Sequence, residues 1–159
     1  MAAELRVAAG EIDLALVRLI RHEVFVVEQG VPAELEYDEY DATSVHVLAL
    51  ADGMALGTGR LIHGAQAMAK TGIAGRVLLG RLAVRKAARG TGLGAELVRA
   101  LEQAGRDHGG TELELHAQVQ ALGFYERLGY VAEGPVYDDA GIPHRTMTRT
   151  IWPPEAPTS

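Results

Sequence analysis

Apolar positions change period along the chain, and each change marks an element. Ile12, Leu16, Leu19, Ile20, Val24 and Val27 recur at helical spacing, and Gly30 and Pro32 end the run. "LRVA" before it (Leu5 to Ala8) reads as a short strand. "SVHVLAL" and "ALGTGRLIH" read as strands joined by Asp52-Gly53, the favoured dipeptide of a tight hairpin. "PAELEYDEYDA" reads as an acidic turn, and Gly64 to Gly75 as a Gly/Ala-rich exposed connection. "RVLLGRLAV" (Arg76 to Val84) is a further strand. A helix then runs from about Thr91 to His108, with Leu93, Leu97, Leu101 and Ala104 on one stripe and Gly109 as its stop. "TELELHA" alternates strictly and is a strand. "VQALGFYERL" is a short helix closed by Gly129, and "YVAEGPVY" and "HRTMTRTI" are the last strands. The order β-α-β-β-β-α-β-α-β-β predicts a mixed α/β sheet, with residues 1–152 as one domain and 153–159 as a frayed tail.

Composition narrows the function classes. The 159 residues carry 48% hydrophobic and 23% charged side chains, as a globular protein does. No apolar run approaches the ~20 residues of a membrane span, and the N-terminus has no signal-peptide pattern. There is no cysteine, hence no thiol nucleophile, disulfide or thiolate metal site. A cytoplasmic location is expected. The net charge of −6 argues against nucleic acid as a partner. Basic residues gather instead around one glycine-rich turn, which predicts a local anion site on an acidic protein.

That turn is "RGTGLGA", from Arg89 to Ala95. A Walker phosphate loop is excluded because no Gly-Lys-Ser/Thr follows. Gly90, Gly92 and Ala95 match the dinucleotide-binding spacing, with Glu114 some twenty residues on. Against this, "RKAAR" separates the strand from the first glycine, and Glu114 lies inside its strand rather than at its end. Arg89, Gly92 and Gly94 form R-x-x-G-x-G, in which bare backbone lets successive N–H groups converge on a pyrophosphate. The helix behind adds its unpaired N–H groups and positive dipole end. Arg85, Lys86 and Arg89 supply charge. A glycine-rich turn with solvated basic residues is the plain alternative.

The turn has a companion downstream, "AQVQALGFYERLGYV". Together they resemble the two hallmarks of the GNAT N-acetyltransferase superfamily, Q/R-x-x-G-x-G/A and N-x-x-A-x-x-F-Y-x-x-x-G-F, in the family's order and close to its spacing. The element order matches from about Leu5 to Ile151. "RHEVFVVEQGVP", "LHAQ", "FYERLGY" and "DAGIPHRTM" resemble the ElaA-like branch, small bacterial acetyltransferases with poorly defined acceptors.

The resemblance implies the GNAT fold and an acyltransferase (EC 2.3.1.-) that moves an acetyl group from acetyl-CoA to a primary amine, carried by a small molecule or a peptide. It implies no metal. Backbone of Leu82, Ala83 and Val84 would pair with the pantetheine arm, with an N–H near Val84 for the oxyanion. Arg89, Gly90, Thr91, Gly92, Leu93, Gly94 and Ala95 would hold the pyrophosphate. Gln118 stands where many relatives carry an asparagine that contacts the cofactor. Tyr125 matches the tyrosine that protonates the leaving thiolate, although an aromatic pair in a short helix also serves as core.

The amine must lose a proton before it attacks, and three bases are open. Glu28 follows the apolar "VFVV", so burial would raise its pKa, while His46 and His116 lie on strands and titrate near neutrality. Each also has a plain structural role available. Glu34, Glu36, Asp38, Glu39 and Asp41 form a solvated loop or an acidic rim that draws a cationic acceptor. Asp38, Asp41 and His46 have no diagnostic metal spacing. His144 stabilises its turn or faces the acceptor. Exposed strand edges permit a homodimer. Two other functions stay open: a non-catalytic acyl-CoA-binding module on the same fold and a nicotinamide-dependent oxidoreductase.

Overall fold

The computed structural model describes residues 3–154. The strand order is β1-β2-β3-β4-β5-β7-β6 in a seven-stranded mixed sheet. The chain divides into two compact units, one running up to Ile62 and adding Leu79–Ala104, the other formed by His63–Leu78 and the chain from Gly105 on.

In the first unit, β1 (Glu4–Val7) leads into α1 (Gly10–Arg21), whose first turn is secured by Asp13 accepting from the Ala9 N–H at 3.0 Å. The helix does not end there. His22–Glu28 continues it as a π-helix, in which the Gln29 N–H reaches back five residues to the Val24 carbonyl. The apolar stripe is also narrower than the sequence suggests. Val17, Ile20 and Val24 are buried against Leu48, Leu50, Ala55 and Ala83, whereas Ile12, Leu19 and Val27 face solvent.

β2 (Val45–Ala51) and β3 (Met54–Ile62) pair through the expected hairpin, with Asp52 and Gly53 both at positive φ. β4 (Arg76–Val84) contributes its residues from Leu79 on, and a 3-10 turn (Lys86–Ala88) leads to α4 (Leu93–Asp107). α4 lies on the glycines of β3. A Cβ on Gly57 would meet Leu97 Cδ1 at 2.9 Å, and one on Gly59 would meet Leu101 Cδ1 at 2.5 Å. A side chain at either glycine would force these leucines to shift, so the two glycines let α4 pack closely on β3.

The acidic segment is neither a solvated loop nor an open rim. It contains a short helix, α2 (Ala33–Glu36), and three of its carboxylates face arginines. Arg21 and Glu36, both essentially excluded from solvent, bond through Nε–Oε1 at 2.5 Å. Arg21 also donates to Asp41 at 2.7 Å, and Arg60 to Asp38 and Asp41 at 2.7 and 3.0 Å. Arg81 donates to the Glu36 carbonyl at 3.1 Å and to Asp38 at 3.3 Å. Arg81 has φ +51, a left-handed conformation inside a strand, and these contacts hold it there. Glu34 and Glu39 remain exposed.

In the second unit, Gly64–Thr71 is a helix, α3, rather than the expected open connection; Ala67 is buried beneath it, and Gly72 ends it at positive φ. Alanine-rich sequence favours a helix once one face is covered. Arg76–Leu78 of β4 pair in parallel with Glu112–Glu114 of β5 (Glu112–Gln118). β5 pairs antiparallel with β7 (Ile142–Thr150), and β7 with β6 (Val131–Asp139). Between β5 and β6 lie a 3-10 turn (Val119–Ala121) and α5 (Leu122–Arg127). Leu113, Leu115, Ala117, Tyr130, Met147 and Ile151 are buried. The tail expected from residue 153 lies, from residue 155 on, outside the described residues.

The buried network generates a stability prediction. Glu36→Gln removes a charge facing the enclosed Arg21 guanidinium and should cost about 3–5 kcal/mol in denaturant unfolding. Burial works to raise the Asp41 carboxyl, but hydrogen bonds from Arg21 and the Asp38 N–H overcome it and bring it from 3.8 to about 2. A depressed carboxyl stabilises the fold above its unfolded value. About 2 kcal/mol should therefore be lost as pH falls from near 4 to about 2, and Asp41→Asn should flatten that part of the profile.

Candidate active site

The glycine-rich turn sits at the N-terminus of α4, in the first unit. Gly90 and Gly92 have φ +79 and +86, and a Cβ at either would meet nothing within 4 Å. Side-chain space is therefore open in front of the turn, while its backbone conformation is one that branched residues do not adopt. Thr91 Oγ1 donates to the Ala88 carbonyl at 2.6 Å and tightens the turn. Arg89, Gly90, Thr91 and Gly92 are exposed, Gly94 and Ala95 half-buried, and Leu93 buried as the first apolar anchor of the helix. An anion at Gly92 meets bare N–H groups, a helix dipole and no obstructing side chain.

The arginines of this turn are not bare. Arg89 donates two bonds from Nη2 to the Glu28 carboxylate, at 3.0 and 2.8 Å, and one from Nε to the Val84 carbonyl at 3.0 Å. Arg85 similarly grips Glu23 at 2.8 and 2.9 Å. The π-helix explains the match. Glu23 and Glu28 are five residues apart, a spacing that an α-helix splays and a π-helix brings back towards one face. Glu28 is thus no buried base; its carboxylate is partly exposed and held by Arg89. Glu23 escaped the sequence reading because an α-helical period hides its relation to Glu28.

Ala83 is buried in the first unit's core, with Leu82 and Val84 half-buried on either side. The β4–β5 register ends at Leu78 and Glu114, short of these three residues. His46 is buried. Its Nε2–H donates to the Asp41 carbonyl at 2.9 Å, and its Nδ1 has no partner. Burial lowers its pKa, the hydrogen bond to Asp41 opposes that, and the charges of Arg21 and Arg60 lower it further. It belongs to the arginine–carboxylate network. Asp38 and Asp41, weighed with it as metal ligands, face guanidinium groups.

In the second unit, the Tyr125 ring meets Phe124 and Tyr130 edge-on, at 4.9 and 6.0 Å between centroids. Among the described residues none hydrogen-bonds its hydroxyl, and burial alone pushes the phenol up to about 12. The Gln118 side-chain oxygen Oε1 accepts from Gln120 Nε2 at 2.5 Å. His116 is exposed and bonded on both nitrogens, to Glu114 and Tyr137. Glu114, the ribose ligand that a dinucleotide site would need, is bonded by Arg76 and His116 instead. His144 bonds the Ile142 carbonyl at 2.8 Å and stacks on Tyr137.

Residues 11–151 match the acetyltransferase (GNAT) domain family. The chain belongs to the GNAT acetyltransferase family. It is therefore an acyltransferase, and one GNAT domain spans nearly all of it. Its relatives include the uncharacterized N-acetyltransferase YjcF of Bacillus subtilis, 38% identical over 90% of this chain and 96% of YjcF. Protein ElaA of Escherichia coli is 29% identical over 83% of this chain and 84% of its own, which bears out the resemblance to that branch. Among solved structures, an acyl-CoA N-acyltransferase from Pseudomonas aeruginosa superposes with a TM-score of 0.80 at 33% identity, covering 94% of this GNAT chain and 100% of the other.

Two substitutions test the turn. Gly92→Val should weaken coenzyme A binding at least tenfold, about 1.4 kcal/mol, in a folded protein. Glu28→Gln should free Arg89 for a phosphate, tighten coenzyme A binding several-fold and steepen its salt dependence. Calorimetric titration at two ionic strengths reads both.

Proposed function

We propose that this enzyme transfers an acetyl group from acetyl-coenzyme A to a primary amine in the cytoplasm. The observation that carries the reading is the Arg89–Ala95 turn, where open space, positive-φ glycines and the Arg89 guanidinium converge at the mouth of α4. The pyrophosphate is held by the N–H groups from Gly90 to Ala95, with Arg89 released from Glu28 to join them. The pantetheine arm pairs with backbone of Leu82–Val84, and the Val84 N–H faces the developing oxyanion.

The amine nitrogen attacks the thioester carbonyl, the C–S bond breaks, and the thiolate takes a proton from Tyr125. A phenol raised to about 12 keeps its proton throughout the neutral range and is available as that acid. The phenolate it leaves is costly where burial already raises the phenol. It recovers a proton from the nitrogen of the new amide, which must shed one. No helix among the described residues is long and apolar enough to cross a membrane.

Tyr125→Phe keeps the ring and removes the hydroxyl. Coenzyme A affinity should stay within a few-fold while the acetyl-transfer step slows by roughly 10- to 1000-fold. The loss should shrink with an acyl donor whose thiol is more acidic, since that thiolate leaves unaided. Free-thiol release measured with both donors checks this; equal turnover of mutant and wild type on both would remove Tyr125 from the chemistry.

A further inference from the structure

We propose that Glu114, His116 and Tyr137 form a proton relay that deprotonates the acceptor ammonium, with the Tyr137 hydroxyl as the group that touches it. The inference rests on the acetyl-transfer reading above and supplies the base that it lacks.

Strand alternation places Glu114, His116 and Gln118 on the face of β5 opposite the buried Leu113, Leu115 and Ala117. The β5–β7 register sets Thr146 opposite His116 and His144 opposite Gln118, and the β6–β7 register sets Tyr137 opposite His144. His116 Nε2 lies 2.8 Å from Glu114 Oε2, and His116 Nδ1 is bonded to the Tyr137 hydroxyl. Only one neutral arrangement satisfies all these groups. A carboxylate cannot donate, so Nε2 carries the proton, Nδ1 is the acceptor and the phenol donates to it. Thr146 Oγ1 stands 3.4 Å from the same Nδ1. Arg76 Nη1 donates to the other Glu114 oxygen at 3.1 Å and fixes the carboxylate from behind.

The environment suits this role. The bond from His116 holds the Glu114 carboxyl below its usual range, burial opposes it, and Arg76 adds to the lowering, so Glu114 stays charged. Burial raises the Tyr137 phenol, and the charges of Asp139 and Glu114 raise it further, so the hydroxyl passes a proton on rather than resting as phenolate. Those carboxylates also favour a cation beside Tyr137. His144 stacks on its ring, with centroids 6.0 Å apart. Gln118 is two residues from His116 on the same face of β5. Of the rival bases, His46 is committed to the buried network.

The proton balance is simple. One ammonium proton passes to Tyr137 Oη as the phenol proton moves to His116 Nδ1, giving an imidazolium against the Glu114 carboxylate. The freed nitrogen lone pair attacks the acetyl carbonyl. The imidazolium returns its proton to water between turnovers. Tyr137 is thus the catalytic residue, and His116 and Glu114 are positioning residues behind it.

The test compares wild type with Tyr137→Phe, His116→Gln and Glu114→Gln on two amine sets. Phenethylamine, spermidine and a lysine peptide are protonated at neutral pH, whereas aniline and phenylhydrazine are neutral. We expect Tyr137→Phe and His116→Gln to lower kcat/KM for the protonated set by about 100-fold, with a smaller loss for Glu114→Gln. The loss should fall to within about threefold for the neutral set, with coenzyme A affinity and melting temperature unchanged. Imidazole nitrogen NMR should show the Nε2–H tautomer of His116 in the wild type, independently of turnover. Equal losses on both amine sets, no loss in Tyr137→Phe, or the Nδ1–H tautomer would overturn the relay and leave acetyl transfer standing. A wild type that binds coenzyme A and acetylates none of these amines would overturn the amine reading, and the relay with it.

Discussion

Three guanidinium groups and three carboxylates enclosed together set the geometry of the first unit. Arg21, Arg60 and Arg81 face Glu36, Asp38 and Asp41, with Arg21 and Glu36 almost wholly out of water. Bare ions at such depth would cost several kcal/mol each, so the balance of charge and the count of hydrogen bonds are conditions for folding. Satisfying them fixes distant pieces of chain at once: the last turn of α1, the short α2, β3 and the middle of β4. Arg81 shows what this secures. Its left-handed backbone interrupts β4 just before Leu82–Val84, and α2 is what holds its side chain. An apolar core of the same volume would be as stable, but it would not specify that turn of the strand.

The pairs around the glycine turn work in the opposite regime. Glu23–Arg85 and Glu28–Arg89 are geometrically as good as the buried pairs, yet their side chains are about a third exposed. Ion pairs of this kind contribute about 0–1 kcal/mol, because water competes for both partners. A weak pair can exchange its acid for another anion without a large penalty. Solvent exposure, rather than distance, separates these pairs from the enclosed Arg21–Glu36 pair.

Legibility in the sequence followed the range of the interactions. Elements made by local periodicity were read at nearly their true limits, as with β4, β5 and the leucine stripe of α4. The glycine turn was legible as a strand-to-helix turn because Gly90 and Gly92 take positive φ whatever else surrounds them. What failed depended on remote residues. The acidic segment looked solvated because Arg60 and Arg81 lie 22 and 43 residues from the Asp38 that they bond. The α1 stripe was read too wide because only the sheet decides which of its apolar residues are covered. Glu23 was invisible because a π-helix changes the period, and no single residue type announces that change. His116 was picked out, but Glu114 and Tyr137 acquire their relation to it only through strand pairing.

Two tyrosines of the second unit illustrate how neighbours, not residue type, set what a phenol can do with a proton. Tyr125 and Tyr137 are both raised, and for both burial is the leading cause. Tyr125 has aromatic rings for neighbours and, among the described residues, no acceptor for its proton, so in the proposed reaction its hydroxyl gives a proton outward and is replenished from the same side. Tyr137 has an imidazole behind it, a carboxylate behind that and a guanidinium behind the carboxylate, so a proton arriving from outside has somewhere to go. In the proposed reaction the same phenol is an acid in one setting and an entrance to a base in the other. Amine acetylation sheds two protons from one nitrogen, one before attack and one after, and the proposal gives each to a phenol with the backing it needs.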